Sequence, residues 1–203
     1  MLKSLLTITL ASLALAGVTV AGTIASDNLA GNFWEVQIDG AAVSGGFLGF
    51  GTTAMTDAQI RTSTAAEIEA AFTQFGGSGA FGNAAASNLG GFFSVEATGD
   101  GGAASFVDNN IFLIGGNGSS IGSSSHLFVI RSAITFAADE PLFAAQLNIE
   151  SDTVILGLAQ ATGGTVIAGG PTFQMAAGII PEPGVSILAL FSAGLLVLRR
   201  RRR

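Results

Sequence analysis

The stretch Ile111-Phe112-Leu113-Ile114-Gly115-Gly116-Asn117-Gly118-Ser119-Ser120-Ile121-Gly122-Ser123-Ser124-Ser125-His126-Leu127-Phe128-Val129-Ile130-Arg131 sets an apolar run on each side of a loop of glycine, serine and asparagine. Short apolar runs rich in Ile, Val and Phe and bounded by turn formers read as strands. A phosphate cradle is the competing reading of the loop, but that device needs an amphipathic helix immediately after it. No helical period follows, the glycines do not have the dinucleotide spacing, and the chain's one lysine is Lys3. The loop also lacks the aspartate that calcium-binding glycine repeats require. What remains is a flexible loop closing a hairpin, and a chain whose neighbouring strands run antiparallel.

Further strand-like runs follow the same style on both sides. They cover residues 92–97, 134–136, 142–149, 153–159, 165–168 and 172–175, with turn residues between nearly all of them. Many short strands at roughly 8 to 12 residue spacing favour an antiparallel β-sandwich or barrel-like domain over a parallel sheet, which needs a helix between strands. No fixed repeat period marks a solenoid. Upstream, Trp34, Val36 and Ile38 alternate with Glu35, Gln37 and Asp39, the period of a half-buried strand, and residues 47–50 are expected to pair with it. One amphipathic helix is expected over residues 57–75 with a break near 61–63. Thr64 and Glu67 form a capping box, Thr56 and Gln59 start an earlier turn, and Ile68, Ala71, Phe72 and Phe75 recur at helical spacing before Gly76. Residues 76–91, rich in Gly, Ala, Ser and Asn, read as a loop or a weak strand within one.

The two ends have a different character. Lys3, an apolar stretch over 5–20 and the small residues Ala21, Gly22 and Ala25 read as a secretory signal peptide over 1–25, cleaved between Ala21 and Ala25, with an uncleaved N-terminal anchor as the alternative and export common to both. Ala14-Leu15-Ala16 also satisfies the small-x-small pattern but would leave a very short apolar region. At the other end, Pro181-Glu182-Pro183 precedes an uncharged apolar run over 185–198 and then Arg199, Arg200, Arg201, Arg202 and Arg203. As a transmembrane helix this run spans about 21 Å against a hydrocarbon core of roughly 30 Å, so it is a marginal anchor. Arginine stems snorkel, and the arginine block resists translocation and stays cytoplasmic. The two prolines hold the peptide just outside the bilayer extended.

The order and spacing of these three parts resemble the PEP-CTERM sorting signal of bacterial surface proteins. The resemblance covers residues 181–203 only. It implies recognition by exosortase, a membrane transpeptidase-like protease, with removal of the tail and export, commonly in Gram-negative bacteria that make exopolysaccharide. It implies nothing about the fold upstream. An ordinary, unprocessed single-pass anchor is the alternative.

Residues 26–180 then form one exported domain rich in glycine and phenylalanine, with all but one of the fifteen Phe available to it or its flanks. The absence of cysteine excludes disulfides and thiolate metal sites. The net charge of −6 conceals an asymmetry, because six of the eight basic residues and one of the fourteen acids sit in the ends. The middle has thirteen acids against Arg61 and Arg131, about −11 in all, which excludes nucleic acid as a partner.

Candidate chemistry in the middle is sparse. His126 is the only histidine, set behind Ser123-Ser124-Ser125, with Asp108 or Asp139 as conceivable acids, but nothing marks an activated serine, and one histidine cannot build a zinc site. Asp100-Gly101, Asp108-Asn109-Asn110, Asp139-Glu140 and Ser151-Asp152 place hard oxygen ligands on turns, where a structural calcium would find them, although Asp and Asn are also ordinary turn formers. Trp34 reads as core or core edge rather than as a sugar platform. Together these point to a non-enzymatic surface or extracellular-matrix protein, anchored in the inner membrane as a precursor and requiring no cofactor. An exopolysaccharide- or carbohydrate-binding module on an unprocessed helix is the second reading.

Overall fold

In the computed structural model, which describes residues 22–29, 33–83, 88–136, 144–147 and 152–178, the hairpin is present. Strands β7 (Asn110–Gly116) and β8 (His126–Thr135) pair antiparallel from Asn110↔Thr135 to Gly116↔Leu127. They are the centre of a six-stranded sheet. On the β7 side follow β4 (Gly45–Thr53) and then β5 (Phe72–Phe81); on the β8 side lie β10 (Thr153–Leu156) and the short β13 (Ala176–Ala177). Every pairing in this sheet is antiparallel.

Two smaller sheets complete the fold. One has the order β6 (Ser94–Gly99), β1 (Gly22–Asp27), β9 (Ala144–Leu147); the other runs β11 (Leu158–Gln160), β12 (Thr172–Gln174), β2 (Glu35–Ile38), β3 (Ala41–Ala42). The chain is mainly β and mainly antiparallel, with parallel pairing only at β1–β9 and β12–β2 among the described strands.

The central strands are continuously apolar because both faces of the large sheet are covered. Leu48, Phe50, Ile111, Leu113, Phe128 and Ile130 point into the main core, which they share with Ile24, Val95, Ala97 and Leu147 of the three-stranded sheet and with Val36 and Phe173 of the four-stranded one. The alternate residues Phe47, Phe112, Ile114, Leu127 and Val129 form a second core with Ile60, Ala65 and Ile68. These last three come from α1 (Asp57–Thr62) and α2 (Ala65–Ala71), two short helices lying against the other face. The central region's two cations hold α1 in place: Arg131 pairs with Asp57 at 3.1 Å, and Arg61 Nε donates to the Ile155 carbonyl at 3.1 Å.

Several expectations need correction. The helix breaks at Ser63 as expected, and both capping boxes form: Thr56 with Gln59, and Thr64 with Glu67. But α2 stops at Ala71. Phe72 is its extended C-cap (φ −92°, ψ 128°) and the first residue of β5, so Phe75 reaches the main core from a strand and Gly76 terminates no helix. The helical spacing of Ile68, Phe72 and Phe75 is coincidental. Two turns of helix are marginal alone, whereas ten residues of β5 find a long partner in β4. For the same reason residues 76–81 are strand, the second of the two expectations for that stretch. The runs over 127–131 and 134–136 are one strand, residues 153–159 split at Gly157 into β10 and β11, and residues 165–168 form turns. β2, which holds Val36 and Ile38 and leaves Trp34 just outside, pairs not with residues 47–50 but with β3 and β12.

Phenylalanine packs where glycine leaves room. Gly115 is the direct cross-strand partner of Phe128, and a Cβ on Gly115 would lie 2.3 Å from the Phe128 ring. Gly99 on β6 receives the edge of Phe75 from β5; a Cβ there would meet the ring at 3.0 Å. From these two rings the aromatic contacts spread. Phe128 meets Phe81 (6.1 Å between centroids), Phe93 (6.3 Å) and Phe173 (5.6 Å), while Phe75 meets Phe106 (5.3 Å) and Phe136 (5.0 Å).

A double-mutant cycle tests this packing. Phe128→Ala, at a fully buried ring, should cost about 3 to 5 kcal/mol in chemical denaturation, and Gly115→Ala about 1 to 3 kcal/mol through overpacking. In the Phe128→Ala background the Gly115→Ala penalty should largely vanish, because the ring it strikes is gone. Strictly additive losses would show that the two positions do not share one space.

Candidate functional site

The residues read as the sorting motif, Pro181, Glu182 and Pro183, and as the membrane stop, Arg199 to Arg203, lie outside the described residues, as do residues 1–21. No described helix is long and apolar enough to cross a membrane. The polar constellations on view are in the β domain.

The serine-rich hairpin loop is organised by Asn117. Its Oδ1 accepts from the backbone N–H groups of Ser125 and His126, each at 3.0 Å, and its Nδ2 donates to Ser125 Oγ at 3.0 Å. Ser124, buried, donates to the Ser120 carbonyl at 2.7 Å and accepts from Gly118 N–H at 2.9 Å. Ser125 Oγ also sits 3.1 Å from His126 Nδ1. This is contact between chain neighbours, with the same hydroxyl held by Asn117. The loop is therefore a closed hydrogen-bonded turn, more ordered than the flexible connection the composition suggests.

Among the described candidates for calcium, Asp100, Asn109 and Asp152 are held in contacts of their own. Asp100 Oδ1 accepts from Gly102 N–H at 3.0 Å in a local turn, Asp108 adopts φ 61°, and Asn109 Nδ2 donates to the Ser105 carbonyl at 3.2 Å. Asp152 Oδ1 receives the Ala133 N–H at 3.3 Å, tying the start of β10 to β8. Among the described residues no three His, Cys, Asp or Glu side chains group as a metal would need. Asp139, Glu140 and Ser151 lie outside the described residues. Trp34 is half-buried at the edge of the main core.

The most organised polar group escaped the sequence reading. Glu35 and Gln37, placed on the solvent side of an alternating strand, are as buried as Val36 between them. The turns over 163–170 fold across that side and donate to the carboxylate. Thr165 N–H and Val166 N–H reach Oε2 at 2.8 Å each, Thr165 Oγ1 reaches Oε1 at 2.6 Å, and Gln37 Nε2 reaches Oε1 at 2.9 Å. Gln37 also donates to the Gly163 carbonyl at 3.1 Å and accepts from Gln174 Nε2. Burial, the largest single influence on Glu35, raises its pKa. The Thr165 hydroxyl, Gln37 and the Val166 and Thr165 N–H groups together outweigh it and hold the carboxyl below its ordinary value. With both oxygens engaged twice, the group is a structural clasp and not a base awaiting substrate. Only the alternation of Glu35 and Gln37 with apolar neighbours was visible beforehand, and that signal does not distinguish water from a covering turn.

No protein-family model matches the chain, and comparison with curated proteins and with solved structures finds no match either.

Glu35→Gln turns an NH₂ toward N–H donors and should lower stability by about 1 to 3 kcal/mol at neutral pH. Because the folded pKa lies below the unfolded one, the stabilisation is complete above the ordinary glutamate value of 4.5 and drains as pH falls through the lowered folded value. The variant should lose part of the wild-type slope of stability in that acid window. Denaturation series from pH 6 to pH 3 that stay parallel would rule out this role for Glu35.

Proposed function

We propose that the chain is an exported, non-enzymatic surface or extracellular-matrix protein of a bacterium, sorted through its C-terminal tail by exosortase. One observation carries the reading: Pro181-Glu182-Pro183, the apolar run over 185–198 and Arg199 to Arg203 follow one another in order and at close spacing. Other features support it. The last described strand, β13, ends at Ala177, ahead of Pro181. The domain contains no cysteine, so outside the cytoplasm it would take its stability from its phenylalanine-rich core and not from disulfides. Its acidity and its two structurally engaged arginines favour a soluble, anion-repelling surface in the matrix, and exopolysaccharide is the partner of the second reading. We read the layers as a β-sandwich and not a closed barrel, because the six-stranded sheet has an open order with distinct edges and faces the two smaller sheets across one core.

The tail is a transient anchor in this reading. Too short to span comfortably, it stops transfer through its arginines while the prolines present an extended peptide to the protease. Replacing Pro181-Glu182-Pro183 by three alanines should leave export and insertion intact but block maturation, so that the chain stays in the inner-membrane fraction with its tail. The check is mass spectrometry of the mature C-terminus in a host that has exosortase. Wild-type protein that keeps residues 184–203 there would make the tail a simple anchor.

A further inference from the structure

The small-x-small pattern allows the leader to be cut after Ala16, Ala21 or Ala25, and the sequence does not choose between the later two. The fold does. Gly22–Asp27 is the middle strand of its sheet, paired to β6 along its whole length from Gly22↔Gly99 to Asp27↔Ser94, and to β9 from Thr23↔Ala144 to Ser26↔Leu147. Ile24 is fully buried in the main core, and Ser26 Oγ donates to the Leu147 carbonyl at 2.9 Å. Just beyond the strand, buried Asn28 donates through Nδ2 to the carbonyls of Trp34 and Gly91 and accepts from Phe93 N–H at 2.7 Å. Residues 22–28 are therefore part of the folded body.

Resting on the export reading, we infer that the leader is hydrolysed at the Ala21–Gly22 peptide bond. Water adds across the amide, leaving a carboxylate on Ala21 and an ammonium on Gly22, with no other reactant needed. Thr19 and Ala21 meet the requirement for small uncharged residues on the leaving side. A cut after Ala25 would remove four of the six residues of β1, Ile24 included, and strip both neighbouring strands of their partner. Cutting after Gly22 would remove the partner of Gly99 and set the new charge inside the ladder. A cut before Gly22 leaves every described rung of the β1 ladder intact.

The test is intact mass and N-terminal sequencing of the protein recovered after export of the full precursor from a Gram-negative host. The expected mature chain begins at Gly22. Ala21→Leu should slow processing at least tenfold and accumulate precursor still carrying Met1. A second chain, with the leader fused directly to Ser26, should be exported but lose the protease-resistant core that the Gly22 form shows. An exported protein beginning at Gly17, Thr23 or Ser26 overturns this site alone. A chain that keeps Met1 and stays in the cytoplasm overturns the site and the export reading together. Equal protease resistance of the Ser26 and Gly22 forms overturns the claim that β1 dictates the bond.

Discussion

The close approach of phenylalanine rings to glycine backbone is the constraint on which the rest of this structure depends. Glycine in a strand interior is ordinarily a weakness, since it contributes no side chain and loses more chain entropy than other residues. Here the missing side chain is replaced from the neighbouring strand. The ring of Phe128 fills the space above Gly115, and that of Phe75 leans on Gly99 across to the next sheet. A buried ring gains dispersion contacts on faces that a bulkier partner would push away. Gly49, Gly51 and Gly157 likewise lie against the rings of Phe47, Phe72 and Phe173, so this share of the glycine and phenylalanine content is one feature and not two. It lets a chain without disulfides bring sheets close around aromatic side chains.

The four-stranded sheet depends on a different kind of interaction. An isolated carboxylate taken out of water is costly, and Glu35 survives burial only because four donors converge on it. Three of those donor groups belong to Thr165 and Val166, so the carboxylate fixes the turns over 163–170 to β2. Because no buried side-chain nitrogen or oxygen among the described residues lacks a partner, this polar side of the sheet adds specificity without leaving an unmet group. Apolar packing is tolerant of small shifts in register; a carboxylate that must receive two adjacent N–H groups is not. The pairing of β2 with β12, parallel and distant in sequence, gains its register from that demand.

Local signals were legible and distant ones were not. The hairpin of β7 and β8 could be read because its strands are apolar on both faces and its loop is rich in turn formers. The capping boxes at Thr56 and Thr64 were equally readable, being contacts within one turn of chain. Phe72 and Phe75 misled because a spacing of three and four serves a helix stripe, while the choice between helix and strand was made by β4, far away in sequence. Glu35 was misplaced for a related reason. Alternation tells which residues share a face, but whether that face meets water depends on turns that arrive from residues 163–170.

Those distant pairings bear on how such a domain would reach the outside of a cell. The first strand, β1, finds its parallel partner only at Ala144–Leu147, and β2 finds its own only at Thr172–Gln174. Parallel partners far apart in sequence form late, because loop closure must come before the contacts that reward it. On the proposed export route, a chain entering a channel leader-first would be unable to complete these pairings before the C-terminal strands are made. The Glu35 clasp adds to this delay, since its donors arrive with Thr165. If the chain is exported as proposed, topology of this kind would delay closure of the two smaller sheets until the strands near the tail emerge. The apolar run over 185–198, marginal as a permanent span, would then hold a domain that has only just become able to fold.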